Sequence, residues 1–150
     1  MKTIKNIQSV SEINELEKMG VEIDFTPENE DVSPSDNMDD QEMINYVIEQ
    51  YNAGNEAAWF CAKVEVKFRG IEGTDYLGCC SYGSFKEFQS DESGYYVDMI
   101  NQCIDQINSD IESNNELIQR DWDIRRAKNL VKPYGYDVFQ SVFPTLRKTA

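Results

Sequence analysis

The chemistry open to this chain is bounded first by a residue it lacks, since there is no histidine anywhere in it. A serine or cysteine nucleophile activated by imidazole is thereby excluded, and mixed Cys/His zinc sites with it. The four cysteines are Cys61, Cys79, Cys80 and Cys103, and no Cys-x-x-Cys pair exists to hold zinc or to cycle between redox states. Adjacent strand residues point to opposite faces, so Cys79 and Cys80 read as reduced structural thiols rather than a working pair. Carboxylates are the remaining chemical resource. The run from Asp36 to Asp40 looks like an oxygen-rich cation loop, yet the glycine and terminal glutamate of an EF-hand are not at their places. Neither a phosphate-binding GxxxxGK[ST] loop nor a GxGxxG turn occurs. No catalytic residue, metal or cofactor is assigned, and the chain reads as a binder rather than an enzyme. The enzymatic rival is a carboxylate-dependent metal hydrolase, which needs acids converging in a pocket.

What the acids do instead is set by their distribution. The net charge is −14 over 150 residues, and it is polarised. Before Ala57 three basic residues face fourteen acids, giving −11; residues 57–119 carry −7 and residues 120–150 carry +4. Such a field repels phosphate backbones and anionic membranes, so a basic protein or ribonucleoprotein is the expected partner, without direct nucleic-acid or membrane binding. The candidate partner-binding residues are Asp36, Asp39 and Asp40, then Asp98, Asp105, Glu112 and Glu116, with Tyr95 as an aromatic anchor. A homodimer is a further assembly compatible with this pattern. The basic residues Arg125, Arg126, Lys128, Lys132, Arg147 and Lys148 are expected to pair with the chain's own acids.

The elements that must position these residues follow from periodicity. Ser9 and Glu12 form a capping box opening a short helix through Ile13, Leu16 and Met19, stopped at Gly20. A brief strand, VEIDF, follows, and residues 26–40 read as a mobile acidic loop. Asp39 or Asp40 caps a second helix whose buried side is Met43, Ile44, Val47, Ile48 and Tyr51, ending at Asn52-Ala53-Gly54. From Ala57 to Arg69 the period becomes two, the clearest strand in the chain. Gly70 and Gly73 punctuate a turn, and DYLGCCSY returns as a strand covered on both sides. After Ser90-Asp91-Glu92-Ser93 a long helix carries Ile100, Ile104, Ile107 and Ile111 on one face and Asp98, Asp105, Glu112 and Glu116 opposite. Asn114-Asn115 is the expected point of a break, Pro133-Tyr134-Gly135 the expected end, and Tyr136 to Phe143 a last strand or docked tail.

The fold class expected is therefore α+β, an antiparallel hairpin of residues 58–69 and 74–82 packed on a long amphipathic helix, with short N-terminal helices. One domain spans 1–150, with an α+β core at 57–108 and a basic tail at 133–150. No apolar run approaches the ~20 residues of a membrane span and the start lacks a secretion signal, so a soluble cytoplasmic protein is expected. Tyr76, Tyr82, Phe85, Phe88, Tyr95 and Tyr96 read chiefly as core, with interface anchors as the alternative. Four acids over ~27 Å of helix are sparse beside one charge per ~1.7 Å of duplex DNA, so the long helix alone imitates a nucleic-acid backbone poorly.

The stretches WFCAKVEVKFRG from Trp59, GTDYLGCCSY from Gly73 and GYYVDM from Gly94 resemble a family of short phage and prophage proteins. The likeness spans residues 57–108 and carries no catalytic residues. It implies an acidic inhibitor of a host nucleic-acid-processing defence complex in the host cytoplasm, as anti-restriction and anti-CRISPR proteins are, acting by steric or DNA-mimicking occupation of a basic surface. The alternative is a virion or assembly protein.

Overall fold

The alternation that begins at Phe60 is realised as the central strand of an antiparallel sheet. β1 (Glu22–Glu28), β2 (Phe60–Phe68) and β3 (Ile71–Cys80) lie in the order β1-β2-β3. A period of two puts Phe60, Ala62, Val64, Val66 and Phe68 on one face, where all are buried, and Cys61, Lys63, Glu65 and Lys67 on the other, where none is. The structure, a computed structural model, describes residues 1–134, with side chains as far as residue 128. The described residues group into two compact units, residues 3–109 and residues 1–2 together with 110–134. The α+β expectation holds.

In the larger unit the helices are α1 (Ile13–Lys18), α2 (Pro34–Asn37), α3 (Gln41–Asn52) and α4 (Phe85–Phe88), followed by the start of α5 (Tyr95–Tyr134). The Ser9/Glu12 capping box is formed, on a 3-10 turn leading into α1, and Asp40 caps α3 by accepting from the Glu42 and Met43 amides. Both α1 and α3 stop near glycines of positive φ, Gly20 and Gly54. The hairpin joining β2 to β3 turns on Arg69 and Gly70 alone, with φ of 50° and 80°, the mirror-image turn whose twist matches the strands.

Gly73 is not part of that turn. It pairs with Val66 inside β3, and a Cβ there would sit on the backbone carbonyl of Cys103. The helix thus approaches the sheet closely at a β3 residue that has no side chain. Around this contact Ile100, Cys103, Ile104 and Ile107 are fully buried, and the Cys103 Sγ donates to the Val64 carbonyl at 3.4 Å. Each such isoleucine contributes roughly 1.5–3 kcal/mol by leaving water. Phe25, Phe60, Tyr82 and Tyr96 ring Phe88 at centroid separations of 5.2–6.3 Å, and Phe85 packs on Phe25 and Phe60; Phe60, Phe88 and Tyr96 are buried, Tyr82 and Phe85 half-buried, whereas Tyr76 and Tyr95 are exposed.

Four further expectations need correction. Residues 26–40 are not one loop: Thr26–Glu28 extend β1 and Pro34–Asn37 form a helical turn. Pro27 is tolerated because β1 is an edge strand, where a missing donor costs no ladder bond on the open side. β3 is the other edge, so its residues are mostly half-exposed rather than covered on both sides. Of the proposed buried side of α3 only Ile44 and Val47 are buried; Met43, Ile48 and Tyr51 are exposed, the apolar arc being wider than the surface beneath it. Finally, α5 does not break at Asn114-Asn115. The Asn115 amide is occupied instead, accepting from the Met1 N at 3.2 Å and donating to the Met1 carbonyl at 3.0 Å, and so does not compete for its own backbone.

That bond is one rung of a pattern. In the larger unit Asn108 grips both backbone groups of Ile4 (2.8 and 2.7 Å) and Asn101 both groups of Ile7 (2.9 and 2.8 Å). Seven helical residues rise ~10.5 Å and three extended residues cover about the same length, so asparagines seven apart meet peptides three apart. Gln106 treats Thr74 of β3 likewise, at 3.0 and 2.9 Å. The expected helix end at Gly135 and the strand or tail over Tyr136–Phe143 lie outside the described residues, as do the side chains of Lys132, Arg147 and Lys148.

Candidate functional site: an aromatic groove with an acidic rim

The segment leaving β1 must cross to α3, and three bonds fix its path. The Trp59 indole Nε1 donates to the Val32 carbonyl at 2.8 Å. The Glu30 carboxylate accepts from the Val32 amide at 3.0 Å and from the Cys79 amide at 2.6 Å, tying the loop to the irregular end of β3 where Cys79 has φ 56°. Held in this way, the loop leaves two hollows that share Asn29, Tyr51 and Trp59. One, of about 200 Å³, is completed by Pro27, Glu56 and Phe85; the other, of about 310 Å³, by Asp31, Pro34 and Ile48. Ligand pockets usually run ~300–1,000 Å³, so one hollow falls below that range and the other only reaches its lower end, a size that suits individual side chains.

The electrostatics are one-sided. Glu28, Glu30, Asp31 and Glu56 line the hollows, and among the described residues no lysine or arginine does. Glu28 also belongs to the uncovered face of the sheet, where in-register pairing sets Glu22, Asp24, Glu65 and Glu72 around Lys63 and Lys67. Lys63 bridges Glu65 at 2.8 Å and Glu28 at 3.8 Å, while Lys67 meets Glu72 at 3.8 Å. The hydrogen bond from Lys63 lowers the Glu65 pKa and raises that of Lys63. Five carboxylates against two ammonium groups leave this face acidic, continuous with the groove through Glu28. Aromatic walls with carboxylates at the rim recognise cations, by ring quadrupole and by ion pairing together.

No family model matches this chain, and no curated protein or solved structure matches it significantly.

The thiols offer little chemistry at neutral pH. Burial pushes Cys80 up to about 11 and Cys103 up to about 12, and burial with the nearby Glu30 carboxylate raises Cys61 and Cys79. Cys80 and Cys103 are buried, as read from the sequence, while Cys61 and Cys79 are half-buried on the strands. Among the described residues no three of Cys, Asp and Glu converge closely enough to hold a metal ion. No helix of the described residues is long and apolar enough to cross a membrane.

The residues singled out from sequence lie elsewhere. Asp36, Asp39 and Asp40 share the segment before α3, where Asp36 accepts from the Ser33 hydroxyl at 2.9 Å and Asp40 serves as the cap. Tyr95, Asp98 and Asp105 are exposed along one side of α5 in the larger unit, and Glu112 and Glu116 are exposed in the smaller. Asp98 borders a polar hollow with Ile7, Asp91 and Asn101. None of these acids lines the aromatic groove. The groove is not legible in the sequence because Val32, Tyr51 and Trp59 come from three separate elements that only the fold brings together.

Proposed function

We propose that this protein is an acidic, protein-binding inhibitor that seats a basic segment of its partner in the groove between Tyr51 and Trp59. The partner in this reading is a host nucleic-acid-processing defence complex in the host cytoplasm, whose basic surface is covered sterically. The observation that carries the reading is the groove itself: aromatic walls, four carboxylates, no cation among the described residues, and continuity with an acidic sheet face. A surface that holds nucleic acid is rich in arginine, and guanidinium groups both stack on aromatic rings and pair with carboxylates. The acids of α5 add long-range attraction that speeds encounter. The resemblance to phage proteins supplies the choice of a defence complex.

The test is capture from host lysate followed by elution with DNA or RNA. Release of a nucleic-acid-binding complex by competition is expected, with retention lost on Glu56→Lys. A partner that holds this protein and nucleic acid simultaneously contradicts occupation of a basic surface. The second reading, an assembly protein, is favoured by one observation, the exposed Leu117, Ile118 and Trp122.

A further inference from the structure

The apolar stripe of α5 does not end where its burial ends. At ~100° per residue, Ile118 and Trp122 fall in the same ~60° arc as Ile100, Ile104, Ile107 and Ile111. Those four are fully buried, but Ile118 is 59% exposed, Trp122 66% and the adjoining Leu117 61%. All three lie within the smaller unit, beside Asp121 and Arg125, which are paired with each other at 3.0 Å. A helix face with two or three large apolar side chains in water is an unfinished interface.

The charge along this segment says what finishes it. Residues 110–116 carry Asp110, Glu112 and Glu116 and no base, while residues 120–128 carry Arg120, Arg125, Arg126 and Lys128 against Asp121 and Asp123. Two copies laid antiparallel about residue 119 set the acidic end of one against the basic end of the other. Helical phase then puts Asp110 and Lys128 on one flank of the stripe and Glu112 and Arg126 on the other, with Ile118 and Trp122 between them. A parallel pair would oppose like charges. We propose that residues 110–128 of α5 form the interface of an antiparallel homodimer, centred on Ile118 and Trp122 and oriented by the Glu112–Arg126 and Asp110–Lys128 pairs.

The paired segment is ~28 Å long and its contact area falls below the ~1,200 Å² of a standard interface, so the dimer is weak, with a dissociation constant on the order of micromolar. The experiment is sedimentation equilibrium of the full chain over a concentration series, with circular dichroism as the folding control. A rise from 17.3 kDa towards twice that mass is expected. Trp122→Glu should raise the dissociation constant at least tenfold without loss of helicity. Glu112→Arg should weaken association, and adding Arg126→Glu to the same chain should restore it, because the two residues are ~21 Å apart along one helix and meet only between copies. A single 17.3 kDa species at every concentration would mean that the chain's own residues 129–150 or a foreign partner covers the stripe, and would overturn the proposal. So would failure of the charge swap to restore association.

Discussion

α5 carries one apolar stripe in two environments, and the contrast separates residues that make the fold from residues available to a partner. Up to Ile111 the stripe is closed off from water, with Ile100, Ile104 and Ile107 packed in the unit that holds the sheet and the helix brought close by Gly73. Beyond it the same spacing, in Ile118 and Trp122, meets solvent. Amphipathic periodicity therefore marks a face that seeks burial, without saying whether the chain itself supplies the cover.

Substitutions can break or sharpen that contrast. The largest effect is expected from Ile104→Ala, which should cost about 2–5 kcal/mol in denaturant unfolding, while Trp122→Ala stays within about 0.5 kcal/mol at concentrations where the chain is monomeric. Comparable losses at the two sites would mean that the second half is packed as well. Gly73→Ala comes next, at about 1–3 kcal/mol, since the new methyl group must push the Cys103 carbonyl away. An unchanged melting temperature there would show that helix and strand separate freely. Asn108→Ala removes two bonds to Ile4 and should cost about 1–3 kcal/mol, with Asn115→Ala, in the smaller unit and more exposed, costing less. Faster amide exchange at Ile4 is the specific readout.

The smallest effects are those of pH. Cys80 and Cys103 have folded pKa values of about 11 and about 12, above their ordinary 9.0. Their contribution to stability is complete below pH 9 and lost as pH rises towards those values, because the unfolded thiols release protons first. Asp91 runs the other way. Bonds from the Val10 amide and the Ser9 hydroxyl hold it below its usual 3.8, so its contribution is present above that pH and fades as acid protonates it. Melts across pH 8–11 should decline in wild type and decline less in a Cys103→Ser variant that still folds.

How much of this was legible depended on the range of the interactions. The β2 alternation, the isoleucine stripe and the Ser9/Glu12 box are local patterns whose physics is complete within a dozen residues, and each is realised. The asparagine ladder is not a local pattern, because Asn101, Asn108 and Asn115 acquire meaning only once residues 1–7 run beside them, at separations of 94 to 114 residues. Their sevenfold spacing, and the Ile4–Ile7 step of three, were the signal available. Gly73 looks like a turn residue in the sequence for the same reason, since its cause is a helix 30 residues downstream. Acidic residues were found by counting, but counting does not distinguish Asp40, engaged as a cap, from Glu56, exposed at a groove.

The most direct measurement of the central claim is a fluorescence and NMR titration of the Trp122→Phe variant, which leaves Trp59 as its one indole, with a short arginine-rich peptide at two salt concentrations. Quenching of Trp59, shifts at Tyr51 and Ile48, and a loss of at least tenfold in affinity on combining Asp31→Lys with Glu56→Lys are expected, while reversal of Asp98, Asp105 and Glu112 weakens binding only through the salt-dependent rate. Shifts confined to α5, or equal binding of an uncharged peptide, would contradict a groove built for a basic partner.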